Sequence, residues 1–361
     1  MEVLVVVKSI ARQIFWKNKK VLITGHTGFK GAWLTFWLNQ LGAKIIGVAL
    51  EPNTQPNLFD LLGIDSICDS HILDIRNYEK LEEIVKTSSP EIVFHLAAQP
   101  LVRTSYNQPL ETFTTNIIGT ANILNAIRFS DSTKVGIMIT TDKVYKNNEW
   151  RWQYRETDPL GGHDPYSCSK AAAELVIDGY TNSFLEEQGI AISSARAGNI
   201  IGGGDWSLDR LIPDAVRAWS SEKNTLEIRR PNATRPWQHV LEPLSGYMKL
   251  AELTWESPSI SGAYNFGPLT NSNATVKEII ELARKNYDRG EIVIIEDYSG
   301  PHEAANLELD ISKAISTLSW RPKFTLSQAV NLSMNWYRAF FKGEPAENLC
   351  INDIELFEKE I

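Results

Sequence analysis

A chain of 361 residues that is 43% hydrophobic and 22% charged can bury one large α/β core with a smaller lobe beside it, and does not have the composition of a disordered polymer. The formal charge of −8 argues against nucleic acid or an anionic membrane as partner, since the field repels both. Cys68, Cys168 and Cys350 lack metal-ligand spacing and cannot all pair, which points to no metal site and to a reducing, cytoplasmic compartment.

Residues 1–16 open with Val3-Leu4-Val5-Val6-Val7, too short to span a bilayer and followed by Lys8 and Arg12 without a small-residue cleavage site; they read as a leading arm or helix. Residues 20–24 form a short buried strand. Thr24-Gly25-His26-Thr27-Gly28-Phe29-Lys30-Gly31 follows, and residues 32–42 continue as an apolar-rich helix ending at Gly42. Strand, tight turn and helix open a dinucleotide fold. Gly25 permits the turn, Gly28 lets backbone approach a pyrophosphate, and Gly31 lets the helix pack on the strand, with the helix N-terminus facing the anion. A second strand, 44–50, ends at Glu51, about twenty residues past the last glycine, where it can accept hydrogen bonds from the adenosine ribose and favour NAD over NADP. His26 and Lys30 bring potential positive charge to the phosphates and soften that choice, unless both are plain solvent-facing residues.

Runs at 91–98 and 135–141 are apolar, as parallel strands buried on both faces are, and 116–128 between them has a helical pattern. Then comes Tyr166-Ser167-Cys168-Ser169-Lys170. A tyrosine four residues before a lysine on a helix shares its face, and the ammonium can lower the phenol's pKa enough to make it a base near neutrality. Alone, that spacing is more often a solvated helix face; downstream of the glycine turn it becomes the other half of one nicotinamide site. Beyond Ala197, Gly202-Gly203-Gly204-Asp205, Arg230-Pro231 and Arg235-Pro236 break the chain into short pieces, and 262–267 resembles a strand again. The expected architecture is α/β: a Rossmann-type doubly wound parallel sheet over residues 17–198 with returns near 237–268, an interleaved C-terminal substrate lobe from 199–236 and 269–345, and terminal extensions at 1–16 and 346–361.

These motifs, joined by Asp74-Ile75-Arg76, His95-Leu96-Ala97-Ala98-Gln99, Thr140-Thr141-Asp142-Lys143-Val144-Tyr145, Arg196-Ala197-Gly198-Asn199, Arg235-Pro236-Trp237-Gln238-His239-Val240 and His302-Glu303-Ala304, resemble the extended short-chain dehydrogenase/reductases. Within them, the chain is similar to the nucleotide-sugar 4,6-dehydratases of the CDP-sugar branch, from about Trp16 to Tyr337. The resemblance implies NAD bound by Gly25, Thr27, Gly28, Phe29, Lys30, Gly31, Glu51, Asp74, Ile75, Ala97, Ala98, Tyr166 and Lys170, with a helix cap as the other reading of Asp74-Ile75. It implies that Tyr166, as phenolate, takes the proton from the sugar's C4 hydroxyl as hydride passes to the nicotinamide, that Lys170 holds the phenolate and ribose, and that Thr141 binds the same hydroxyl. Water then leaves from C6 after loss of the C5 proton, and hydride returns to C6.

Asp142 is the candidate for protonating the departing hydroxyl, a task for a desolvated carboxyl; a loop or capping carboxylate is the other reading. Lys143 departs from the acidic residue found there in most of these dehydratases. As a neutral amine it is a base at C5, as a cation it stabilises the enolate, and a surface salt bridge is the third reading. Asn199, Arg235 and His302 are implied at the substrate, CDP-glucose, with arginine suited to bidentate phosphate contacts. His239 is as readily a packed histidine, and Trp206 and Trp237 either stack on the ligand or sit in the core. A homodimer through a four-helix bundle of 116–128 and 169–185, or a homotetramer built on it, is also implied. An epimerase or reductase would use the same Tyr166 and Lys170, but reversible oxidation needs no Asp142-Lys143 pair. A non-catalytic dinucleotide-binding protein would need neither Tyr166 nor Lys170.

Overall fold

The computed structural model describes residues 11–150, 152–269, 274–295 and 307–359. Its centre is a sheet of seven parallel strands: β1 (Lys20–Thr24), β2 (Lys44–Ala49), β3 (Asp69–Ile72), β4 (Ile92–His95), β5 (Val135–Ile139), β6 (Ala191–Ala197) and an edge strand, Ala263–Phe266, supplied from much later in the chain. Their order is edge strand, β6, β5, β4, β1, β2, β3, so the winding reverses between β1 and β4, where Thr24 pairs with His95. Doubly wound sheets open a ligand crevice at that point.

Every residue of β4, β5 and β6 is buried, because helices cover both faces and leave no strand face for water. Alternation along the strands divides the core. Val21, Ile23 and Ile45 join the layer containing Trp33, Trp37, Leu244 and Met248, on helices Phe29–Gln40 and Leu241–Glu256. Leu22, Ile46 and Val48 face Leu81, Ile123, Leu124 and Ile177, on helices Tyr78–Ser88, Gly119–Arg128 and Pro165–Tyr180. The smaller lobe pairs Thr225–Ile228 with Glu291–Ile294 and Thr234–Arg235 with Ala274–Thr275, packed with helices Leu211–Ser220, Val276–Tyr287 and Leu326–Phe341. Capping boxes start two of these helices, Thr275 with Glu278 and Thr325 with Gln328.

The first and last described segments pack on this body. Trp16 is fully buried and donates from Nε1 to Glu252 Oε1 at 2.8 Å. Helix Ala346–Lys359 presents Leu349, Cys350, Ile354 and Phe357 on one buried face, with Phe357 edge-on to Trp37 at 5.7 Å. That stripe of helical spacing is what brings a segment read as an extension into the core. Among the described residues no helix is long and apolar enough to cross a membrane.

Candidate active site

The glycine turn closes on itself. Gly25 has φ +80°, and a Cβ there would come within 2.8 Å of Ala97 N; a Cβ on Gly31 would lie 1.9 Å from Gly25 O. Gly28 is less crowded, with only Gly25 O at 3.4 Å. It precedes helix Phe29–Gln40 without a side-chain cap, and the first turn holds no acidic residue. Unspent N–H groups at the positive end of a helix, over a residue with no side chain, are the fit a dinucleotide diphosphate requires. Thr27 Oγ1 donates to Leu50 O at 2.8 Å and so ties the turn to the end of β2, beside the exposed Glu51. On the β4 side Ala97 N donates to Thr24 Oγ1 at 3.1 Å, placing Ala97-Ala98 against the turn. Asp74 is held by Arg76, whose Nε lies 3.0 Å from Oδ1; that guanidinium is the main reason its carboxyl stands below the usual range. Ile75 is buried against Gly119.

His26 is neither a cation at the phosphates nor a solvent-facing residue. It is fully buried, its Nε2 lies 2.7 Å from Ser70 Oγ, and burial draws its pKa down to about 4. The ring occupies the space above Gly47, where a Cβ would meet Cδ2 at 2.4 Å, so the position serves packing. Lys30 lines the main cavity, and burial, then the Lys170 charge, pull it down to about 7.

That cavity, about 770 Å³, lies beyond the end of β5. Thr141, Asp142, Lys143 and Tyr166 all line it, together with Phe29 and Lys30 from just past the glycine turn and with Asn199, Arg235 and Trp237. The chain leaves β5 in extended form at Thr141, whose hydroxyl accepts from Lys143 N at 3.4 Å and donates to Asp142 Oδ1 at 2.9 Å. Asp142 is 1% exposed, and its Oδ2 has no partner. Helix Pro165–Tyr180 begins with a capping box, Asp164 with Ser167, and proline in its first turn, which sets Tyr166 at the cavity and Lys170 one turn deeper. Lys170 is 4% exposed and donates to Ile139 O at 3.2 Å.

The electrostatics differ from the expectation that Lys170 lowers the Tyr166 phenol. Burial pushes Tyr166 up to about 12; the Thr141 hydroxyl opposes this most, and the cation acting on it is Arg210. Burial in turn draws Lys170 down to about 8 against the pull of the Glu174 carboxylate. Spacing on a helix places the two side chains on one face, but their depth decides which charge reaches the phenol. Arg210 lines the cavity and is held by Asp205, Nη1 to Oδ2 at 2.9 Å. Sequence reading treats Gly202-Gly203-Gly204-Asp205 as a break; the signal available there was an aspartate five residues before an arginine at a helix start.

Of the substrate candidates, Asn199 has a buried Oδ1 without partner, and Arg235 is 9% exposed with Nη1 donating to Thr234 O at 2.8 Å. His302 lies outside the described residues. His239 is away from the cavity, edge-on to Trp33 and Phe324, and burial draws it down to about 3. Trp206 packs on Tyr337 in the core. Among the described residues no cluster of His, Cys, Asp and Glu could hold a metal ion.

A model of the GDP-mannose 4,6 dehydratase family matches residues 22–332. The chain is 45% identical to a CDP-glucose 4,6-dehydratase of Salmonella typhimurium over 336 residues, covering 91% of this chain and 93% of that one. Two solved structures share the fold: a dTDP-glucose 4,6-dehydratase of Bacillus anthracis in complex with NAD (TM-score 0.75, 22% identity, 90% and 98% of the two chains) and a UDP-glucose-4-epimerase of Stenotrophomonas maltophila with bound NAD (TM-score 0.79, 20% identity, 91% and 100%). With its parallel sheet, glycine turn and Tyr166-Lys170 helix converging on one cavity, the chain belongs to the GDP-mannose 4,6 dehydratase family of extended short-chain dehydrogenase/reductases.

Proposed function

We propose that the protein dehydrates CDP-glucose to CDP-4-keto-6-deoxyglucose with NAD, supplying deoxysugar and surface polysaccharide synthesis. The observation that carries this reading is the meeting of Thr141, Asp142, Lys143 and Tyr166 in one cavity that Phe29 and Lys30 also line, in a chain 45% identical to a CDP-glucose 4,6-dehydratase. NAD, when bound, accepts a hydride from the sugar and returns it, and its charged ring favours the phenolate.

Tyr166 takes the proton of the C4 hydroxyl. With the Tyr166 phenol pushed up to about 12 by burial, the phenolate depends on the Thr141 hydroxyl, Arg210 and the charge brought by the ligand. The C4 ketone acidifies C5–H, and the Asp142-Lys143 pair divides the elimination: Asp142 Oδ2, buried and unpartnered, carries the proton to the C6 hydroxyl, while Oδ1 is fixed by Thr141. Lys143, half-buried on the same wall, takes the C5 proton or stabilises the enolate. Arg235 and the Asn199 amide face the nucleotide diphosphate.

Incubation with CDP-glucose, and in parallel with the dTDP, UDP and GDP sugars, is expected to show loss of one water by mass spectrometry for the CDP sugar first. No dehydrated sugar from any of them would sink the dehydratase reading. The unpaired thiols Cys68, Cys168 and Cys350 suit the cytoplasm.

Leu110 on helix Pro109–Phe113 and Ile118 on Thr114–Ile118, which runs on into Gly119–Arg128, are 79% and 50% exposed, and Leu175 on helix Pro165–Tyr180 is 64% exposed. A second copy covering them would build the four-helix bundle of a homodimer. Light scattering is expected to return twice the chain mass, or four times it for a tetramer; a monomer at working concentration defeats the dimer.

A further inference from the structure

Tyr166, Lys170 and Glu174 succeed one another at four-residue spacing on helix Pro165–Tyr180 and share a face. Glu174 is 1% exposed. Its Oε1 accepts from Thr140 Oγ1 and from Arg196 Nε at 2.9 Å, and its Oε2 from Ser194 Oγ and Arg196 Nη2, both at 2.8 Å. Arg196, 3% exposed, donates from Nη1 to the Tyr145 hydroxyl at 2.9 Å and to Glu156 O at 3.1 Å. Tyr145 donates onward to Asn265 Oδ1 at 2.7 Å. A buried ion pair gives little stability over apolar residues of like volume, yet here the oxygens and nitrogens of the pair are satisfied. The groups they bind flank the chemistry: Thr140 precedes Thr141, Tyr145 lies two residues past Lys143, and Glu174 is one turn beyond Lys170.

We propose that Glu174 and Arg196 are positioning residues of this site, tying residues 140–145 to the helix bearing Tyr166 and Lys170, with the Glu174 carboxylate as the counter-charge that keeps Lys170 an ammonium ion. The inference rests on the dehydratase reading. The charged and titratable groups facing Lys170 are Glu174 on its own helix, Lys30 on helix Phe29–Gln40 and His95 on β4. His95 is neutral, drawn down to about 3 by burial and held between the Thr24 and Thr120 hydroxyls, and Lys30, itself drawn down to about 7, opposes the Lys170 charge only while it is protonated. Glu174 itself faces Arg196 and, one turn on, Asp178, whose carboxyl is raised by burial first and Glu174 second. Lys170, already drawn down to about 8 by burial, falls further when Glu174 is lost, so the ammonium disappears at lower pH.

Glu174→Gln alone strands a buried guanidinium, so the test uses Glu174→Gln with Arg196→Met, which removes both charges and keeps volume. In the holoenzyme with CDP-glucose, the alkaline limb of kcat/KM is expected to move toward acid by about one pH unit, at a thermal midpoint and KM near wild type. A profile superimposable on wild type overturns the proposal. Thr140→Val, which leaves both charges in place, decides the case if the double variant does not fold: kcat is expected to fall about tenfold at unchanged KM, and an unchanged kcat overturns the tie. Carbon NMR of protein labelled at lysine Cε follows Lys170 without turnover. A wild type that dehydrates no nucleotide sugar therefore defeats the dehydratase reading, while the Lys170 resonance still decides this one.

Discussion

Tyr166→Phe is expected to lower kcat by about 10³-fold or more, since general acid–base catalysis contributes about 10² to 10⁴ and the Tyr166 phenol is the group hydrogen-bonded to Thr141 at the cavity. The ring stays buried at 7% exposure, and the Thr141 hydroxyl keeps Asp142 Oδ1 as a partner. Loss of the phenolic oxygen therefore costs under about 1 kcal/mol of stability, and thermal unfolding should match wild type. Retained turnover would remove Tyr166 from its role. Asp142→Asn makes the useful contrast: it keeps the acceptor for Thr141 but cannot deliver the proton from Oδ2. C4 oxidation should then survive without water loss, seen as reduced nicotinamide absorbance that accumulates on adding sugar.

Gly31→Ala is expected to destabilise the protein by about 3 kcal/mol or more and to abolish dinucleotide binding. The added Cβ would lie 1.9 Å from Gly25 O, 2.7 Å from Gly25 C and 2.8 Å from His26 Cα. All three are backbone atoms and cannot rotate away, so relief requires the turn between β1 and the helix to open. Gly28→Ala meets only Gly25 O at 3.4 Å and should melt within about 1 kcal/mol of wild type, while losing at least about tenfold in NAD affinity because the methyl occupies the diphosphate approach. Denaturant unfolding and a fluorescence titration with NAD separate the two effects. Equal NAD affinity for Gly28→Ala and wild type would move the diphosphate elsewhere.

Much of the fold was legible because its signals are local. Lys20–Thr24, the glycine turn and Lys44–Ala49 occupy one short stretch in which strand, turn and helix each impose a distinct residue pattern, and the run at 135–141 announced β5 by apolar content alone. His26 was misjudged because its neighbours Ser70, Phe59 and Gly47 come from other segments, and only their packing makes the ring dry and neutral. Arg210 was missed because its importance rests on reaching Tyr166 from a loop 44 residues later in the chain. In the sequence Arg196 is only part of a motif; its meeting with Glu174 depends on how β6 packs against helix Pro165–Tyr180. Residues 346–361 read as a terminal extension, and the helix Ala346–Lys359 with its buried face is visible only in the structure.

The sequence by itself determined the parallel doubly wound sheet, the glycine cradle, and the residue types that hydride transfer and dehydration require, because periodicity and contiguous motifs encode local backbone form and chemistry directly. Only the tertiary structure decided which of those groups are charged. Burial raises Tyr166, lowers Lys170 and His26, and leaves Asp142 Oδ2 unpartnered, and burial is a property of segments far apart in the chain brought together, at a desolvation cost that no spacing rule contains.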